Sequence, residues 1–142
     1  MRSDYLNENS GHSFGLKKKV VPVDNDITLT NEDSGKVFML SATGGTVAVT
    51  LPTSLEDGVH YKFIVEEETP SNAITIAAGS AIVSFVMKDA GGNASNSTAG
   101  TQVSNVIIGA TAQKADYVEL MATGGEWVGS ALSSIDDAIT TS

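Results

Sequence analysis

The chain has 142 residues, enough for one domain with a real core, and sets 17 Asp and Glu against 8 Lys and Arg for a formal charge of −9. That acidity argues against nucleic-acid binding through the main surface. The absence of Cys excludes disulfides, thiolate chemistry and Cys-bearing zinc sites. Charged residues are only 18%, and with 14 Gly and many Thr, Ser and Val the composition suits strands better than surface helices. No apolar run approaches the ~20 residues of a spanning helix, so no membrane is expected. The N-terminus is polar and lacks the apolar core of a secretory signal. Assembly in a reducing cytoplasm is compatible with the lack of Cys.

Residues 1–19 read as an extended N-terminal arm. Arg2 and Lys17 to Lys19 against Asp4 and Glu8 give it +2, which leaves −11 on the rest. Its scattered Tyr5, Leu6, Phe14 and Leu16 cannot bury enough area to fold alone, but they suit a segment that orders on a partner or a neighbouring subunit. The run Lys17-Lys18-Lys19 fits an acidic partner surface or simple solvation.

A domain is expected over residues 20–131. Val20–Val23 predicts a short edge strand, limited by Pro22. Ile27–Thr30 alternates and predicts another. Three strands in series then organise the chain: Lys36–Ala42, Thr46–Leu51 and His60–Val65. Gly44-Gly45 predicts a hairpin between the first two. Pro52 ends the second, and Gly58 turns the chain into the third. Asn72–Ala77 is an alternating strand. Ala81–Met87 is apolar enough to be covered on both faces or to meet another subunit. Lys88–Gln102 predicts an exposed, mobile loop. Val103–Gly109, Ala115–Ala122 and Glu126–Ala131 predict strands, the last two joined by Gly124-Gly125. The tail, 132–142, reads as a short helix or a second arm. The segments Ala42-Thr43-Gly44-Gly45 and Ala122-Thr123-Gly124-Gly125 are identical, which reads as one good turn used twice rather than a duplicated domain. About nine short strands predict an all-β, single-domain antiparallel β-sandwich or barrel, jelly-roll-like, whose edges must be covered. A reaching arm would cover one, which makes a homo-oligomer plausible.

Chemical motifs are sparse. His12 and His60 are the two histidines, and no nucleophile elbow accompanies them. Asp24/Asp26, Glu32/Asp33, Glu66 to Glu68 and Asp136/Asp137 are carboxylate pairs that suit turns better than catalysis. Asp24-Asn25-Asp26 begins like a calcium loop, but Leu29 stands where that loop needs Gly. No P-loop, dinucleotide or zinc motif occurs. Trp127 and Tyr117 are candidates for sugar stacking, although core packing is their commoner use. No catalytic residue, metal or cofactor is expected.

The order Ile27-Thr28-Leu29-Thr30, Asp33-Ser34-Gly35-Lys36, Gly44-Gly45, Thr50-Leu51-Pro52, Gly58 with Tyr61-Lys62-Phe63, Asp116-Tyr117-Val118-Glu119-Leu120 and Gly125-Glu126-Trp127 resembles capsid decoration (cement) proteins of tailed bacteriophages and related head-fibre and tail-fibre β-modules. The likeness runs from about Ile27 to Val128. It implies a non-enzymatic virion protein on the outer capsid surface, commonly a homotrimer, that clamps neighbouring major capsid protein subunits after assembly in the host cytoplasm. The arm residues Tyr5, Leu6, Phe14, Leu16, Lys17, Lys18 and Lys19 would then contact the capsid. The alternative is a receptor- or glycan-binding fibre module using Trp127, Tyr117 and the 88–102 loop.

Overall fold

The structure, a computed structural model, describes residues 17–91, 94–96 and 103–142. Tyr5, Leu6, Phe14 and Leu16 lie outside the described residues, as does much of the 88–102 loop. The chain is all-β, with two packed sheets forming a sandwich. Eleven strands follow in order: β1 Val20–Val23, β2 Ile27–Thr28, β3 Val37–Leu40, β4 Val47–Thr50, β5 His60–Val65, β6 Ile74–Lys88, β7 Ala94–Asn96, β8 Val103–Ile108, β9 Tyr117–Thr123, β10 Glu126–Leu132 and β11 Ile139–Thr141. A 3-10 turn, Asn31–Asp33, separates β2 from β3.

The first half of the chain winds as a coil. Odd strands lie in one layer and even strands in the other, so β1, β3 and β5 pair parallel, as do β2, β4 and the start of β6. The expected Gly44-Gly45 hairpin is therefore not formed. β3 and β4 never pair, and Ser41 to Thr46 carries the chain between layers. Glu67 and Asn72 hold that crossing: Ala42 N–H donates to Glu67 Oε1 at 2.8 Å, and Asn72 Nδ2 donates to the Ala42 carbonyl at 2.7 Å.

The second half runs mostly antiparallel. β5 pairs β9, β9 pairs β10, β6 pairs β7 and β8, and β8 pairs β11, all antiparallel; β10 meets β6 parallel. The sheets are thus mixed, not purely antiparallel. Parallel pairing needs a long crossover, and here the intervening strand in the opposite layer supplies it.

β6 joins the layers. Residues 74–77 pair with β4 and β8, and residues 82–88 pair with β10. The register slips between Ala77 and Ile82, where the strand bends. The two segments expected as separate strands are one strand that changes sheet. Within the expected 88–102 loop, Ala94–Asn96 pairs with the end of β6. The tail forms neither helix nor free arm. It is a turn followed by β11, with Ala138 and Ile139 buried in the core.

The core sits between the layers. Every second residue of β5 is buried (Tyr61, Phe63, Val65), and the same alternation places Val118, Leu120 and Ala122 inward on β9. Phe38 stacks on Phe63 at 5.5 Å, and Tyr61 meets Trp127 at 5.7 Å. Trp127 is fully buried, so its indole is a core residue and no sugar platform. Burying a ring of that size stabilises the fold by roughly 3 kcal/mol or more.

Candidate interaction surface

Alternation that buries one phase of a strand displays the other. On the layer built from β1, β3, β5, β9, β10 and the end of β6, the outward phase is unusually apolar. One row across the strands reads Val37, Lys62, Glu119, Ser130, Val86. The next reads Pro22, Met39, Ile64, Tyr117, Leu132, Lys88. Met121 and Val128 sit opposite each other beyond the first row. Five large apolar side chains are notably exposed among the described residues. Val20 (58%), Val86 (49%), Met121 (44%) and Leu132 (42%) belong to this one layer, and Ile135 (39%) follows β10. Singly exposed apolar residues need no explanation, and Lys62, Glu119 and Ser130 stand between the apolar ends of the first row; the second row, Pro22 through Met39, Ile64 and Tyr117 to Leu132, is contiguous, and a contiguous set marks an interaction face.

A groove of about 350 Å³ crosses this face from Lys18 past Lys36 and His60 to Met121 and Val128. Gly129 lies in its floor. A Cβ there would run into the Glu119 carbonyl and the Leu120 side chain, so β9 and β10 approach more closely than any other residue would allow. Three Lys line the groove (Lys18, Lys36, Lys62) against one carboxylate, Glu119. Lys62 Nζ lies 3.2 Å from Glu119 and 4.5 Å from the Tyr117 ring centroid. Both partners of that ion pair are substantially exposed, so it adds little to stability. Its effect is to set a cation on an apolar floor. Lys36 Nζ is likewise ion-paired, with Asp33 Oδ1, so carboxylates offset much of the positive charge at the groove.

Lys17, Lys18 and Lys19 are exposed where the chain enters β1. The Lys19 carbonyl accepts from Val37 N–H at 2.9 Å, which fixes the basic run beside the apolar face. The structure thus brings Lys18 onto the groove, which the sequence alone did not reveal. The signal for the face was present in the outward set Tyr117, Glu119, Met121, half apolar on its exposed phase. What could not be read was which strands lay beside it.

His60 stands at the groove near Ser34, with Nδ1 3.4 Å from Ser34 Oγ and 2.9 Å from the Gly58 carbonyl. A carbonyl only accepts, so at that distance Nδ1 carries its proton and cannot also take one from Ser34. Ser34 Oγ itself accepts from His60 N–H at 3.0 Å. The pair is a strand-entry bracket in this arrangement.

The carboxylate pairs serve turns. Asp26 Oδ1 accepts from Ala48 N–H at 2.8 Å, and Asp33 Oδ2 from Thr30 N–H at 2.9 Å. Burial works to raise the Asp33 pKa, but the Lys36 ammonium and the Thr30 donors outweigh it and hold the carboxyl below its ordinary value. Asp89, Asp136 and Asp137 gather with carboxylate oxygens within 4.8 Å of one another. Among the described residues no helix is long and apolar enough to cross a membrane.

No protein-family model matches the chain, and no curated protein matches it.

Proposed function

We propose that this protein is a non-enzymatic structural protein of a bacteriophage virion, one that docks on the outer capsid surface and ties neighbouring major capsid protein subunits together. The observation that carries the reading is the apolar row Met39, Ile64, Tyr117 and Leu132 on a sheet face that has the basic run Lys17–Lys19 at its edge, on an otherwise acidic sandwich. An apolar face supplies area, and exposed cations supply orientation on an acidic partner. The arm before Lys17 carries Tyr5, Leu6, Phe14 and Leu16, side chains suited to shallow apolar pockets on a neighbour. Such a clip stabilises an assembly by binding the assembled state in preference to its parts, without any bond being made. The protein acts as a homo-oligomer, which multiplies weak contacts on a repeating lattice.

The fibre-module alternative loses its strongest residue, because Trp127 lies in the core and is closed to a sugar ring.

Co-sedimentation with capsids lacking this protein tests the proposal, comparing the full chain with one missing residues 1–19. Saturable binding lost on truncation is the expected result. Binding that survives moves the contact to the sheet face. No binding by the full chain removes the capsid reading.

A further inference from the structure

Lys18 and Gly35 each stand two residues before a paired position, Val20 and Val37. Gly35 N–H donates to the His60 carbonyl at 2.9 Å, His60 pairs with Met121, and Met121 pairs with Val128. Lys18, Gly35, His60, Met121 and Val128 therefore form one row across the ends of β1, β3, β5, β9 and β10, and all of them line the groove. Gly35 has a φ of 83°, and the nearest group to a Cβ built on it is His60 Nε2 at 3.9 Å. The row thus has a notch between Lys18 and His60, and an exposed apolar end at Met121.

The row has a direction, because the chain enters it at Lys18. The preceding residues, His12-Ser13-Phe14-Gly15-Leu16, lie outside the described residues, but their order alternates. In an extended chain successive side chains point to opposite sides, so Leu16, Phe14 and His12 share the side of Lys18, and Gly11, Ser13, Gly15 and Lys17 take the other. Lys18 lines the groove, so the side it sets toward the sheet is the one that carries the large groups. The opposite side is small or polar, as a solvent-facing side is. The lengths also agree. Adjacent strands lie about 4.8 Å apart, which puts Met121 about 14 Å and Val128 about 19 Å from the line of β1. An extended chain advances about 3.3 Å per residue, so Leu16 reaches about 7 Å from Lys18, Phe14 about 13 Å and His12 about 20 Å. Leu16 falls over Gly35 and His60, Phe14 at Met121, and His12 at Val128.

We infer that residues 12–16 strap across this row in their own molecule, with Leu16 in the Gly35 notch and Phe14 on Met121. The occupant is the chain's own segment because it is tethered at the mouth of the groove, is long enough to cross it and carries its apolar groups on the required side. So short a tether also gives the contact a high effective concentration. No new ion pair enters it, since Lys36 and Lys62 already have Asp33 and Glu119. The strap leaves the second row, Met39, Ile64, Tyr117 and Leu132, uncovered. It also moves the root of the free arm: Tyr5 and Leu6 depart from the β10 side of the layer and not from β1. As regulation of docking this rests on the capsid reading, since Phe14 and Leu16 reach a capsid only by leaving the groove. As a contact within the free chain it stands without that reading.

Nuclear magnetic resonance of the full chain tests it, with carbon-13 methionine methyls as probes. The chain has four Met, and Met121→Leu assigns the Met121 signal. A Phe14 ring over Met121 shifts that methyl by its ring current. Phe14→Leu is expected to move the Met121 signal and to leave those of Met39 and Met87 in place. A Met121 signal that does not move overturns the inference. Because the chain has no Cys, His12→Cys supplies a single thiol for a nitroxide. The nitroxide is expected to broaden Met121 far more than Met39 or Met87, and to lose that preference when Phe14→Ser and Leu16→Ser are added. Equal broadening without those changes overturns the strap, because an unattached arm visits all three. Spin-labelled chains without carbon-13 are then mixed with carbon-13 chains without the label. Broadening of Met121 in the mixture overturns the assignment to one molecule and gives the groove to the arm of another copy. No capsid enters these measurements, so a sound strap with failed co-sedimentation removes only the capsid reading.

Discussion

Asp116 and Ser134 are 18 positions apart, yet the carboxylate of the first accepts the backbone N–H of the second at 2.9 Å. The same side chain accepts Gln113 N–H at 2.9 Å with its other oxygen. One buried acid therefore ties the entry of β9 to the exit of β10. Asp116→Ala takes the acceptor from two part-buried backbone N–H groups, those of Gln113 and Ser134. The expected loss is about 2–4 kcal/mol, or a melting temperature lower by roughly 3 °C for each kcal/mol. Asp116→Asn keeps an acceptor and is expected to lose less. Equal losses would show that the bonds to Gln113 and Ser134 are not what the carboxylate contributes.

Tyr61 donates its hydroxyl to the Thr30 carbonyl at 2.6 Å. Burial, with the Asp33 carboxylate adding to it, pushes the phenol up to about 12. The folded state thus holds this proton more tightly than the unfolded chain, whose tyrosines titrate near ~10. The associated stability is fully present below pH ~10 and is lost as pH rises toward about 12. Tyr61→Phe is expected to cost about 1–2 kcal/mol at neutral pH. The gap to wild type should close in strong alkali. Urea midpoints across this range check it, and a gap independent of pH would refute the assignment.

The Asp33 carboxyl behaves in the opposite sense. It is held below its ordinary value of 3.8, so its contribution is present above that pH and is lost as pH falls through the lower folded value. Asp33→Asn is expected to be less stable by about 1 kcal/mol at neutral pH and to converge with wild type in acid. Acid-unfolding curves of the two proteins make the comparison.

Gly44 and Gly124 occupy equivalent places in identical Ala-Thr-Gly-Gly segments, but their backbones differ. Gly124 and Gly125 have φ of 61° and 80° and close a two-residue hairpin, with Thr123 opposite Glu126. Gly44 has no such requirement, and a Cβ there meets nothing within 4 Å. Gly124→Ala is expected to cost about 1 kcal/mol, while Gly44→Ala is neutral or slightly stabilising. Thermal melts that rank the two the other way would contradict the crossing described here.

Gly129→Ala forces a methyl group against the Glu119 backbone carbonyl, which cannot step aside as a side chain would. A loss of about 3 kcal/mol or more is expected, larger than for Gly124→Ala. Denaturant unfolding of both variants tests the order.

Strand positions were largely legible because alternation is local: His60–Val65 is read to the residue, and the edge strand with Pro22 and the turn at Gly124-Gly125 stand where pattern placed them. What alternation cannot report is which strand lies beside which. The Ala-Thr-Gly-Gly segments make the point: one becomes a hairpin and the other a crossing. Their difference comes from Glu67 and Asn72, which seize the backbone of Ala42 from 25 and 30 residues away. The interaction face follows the same logic. Met121 reads as an ordinary strand residue, and Leu132 as the start of the tail, until pairing sets them beside Val128 and Tyr117 on a single layer. The amino-acid sequence by itself determined an acidic all-β chain, its strands and its basic entry run, because these depend on composition and on the two-residue period of a pleated backbone. Tertiary structure alone decided the parallel coil, the change of sheet within β6 and the groove, because hydrogen-bonded neighbours are chosen by long-range packing.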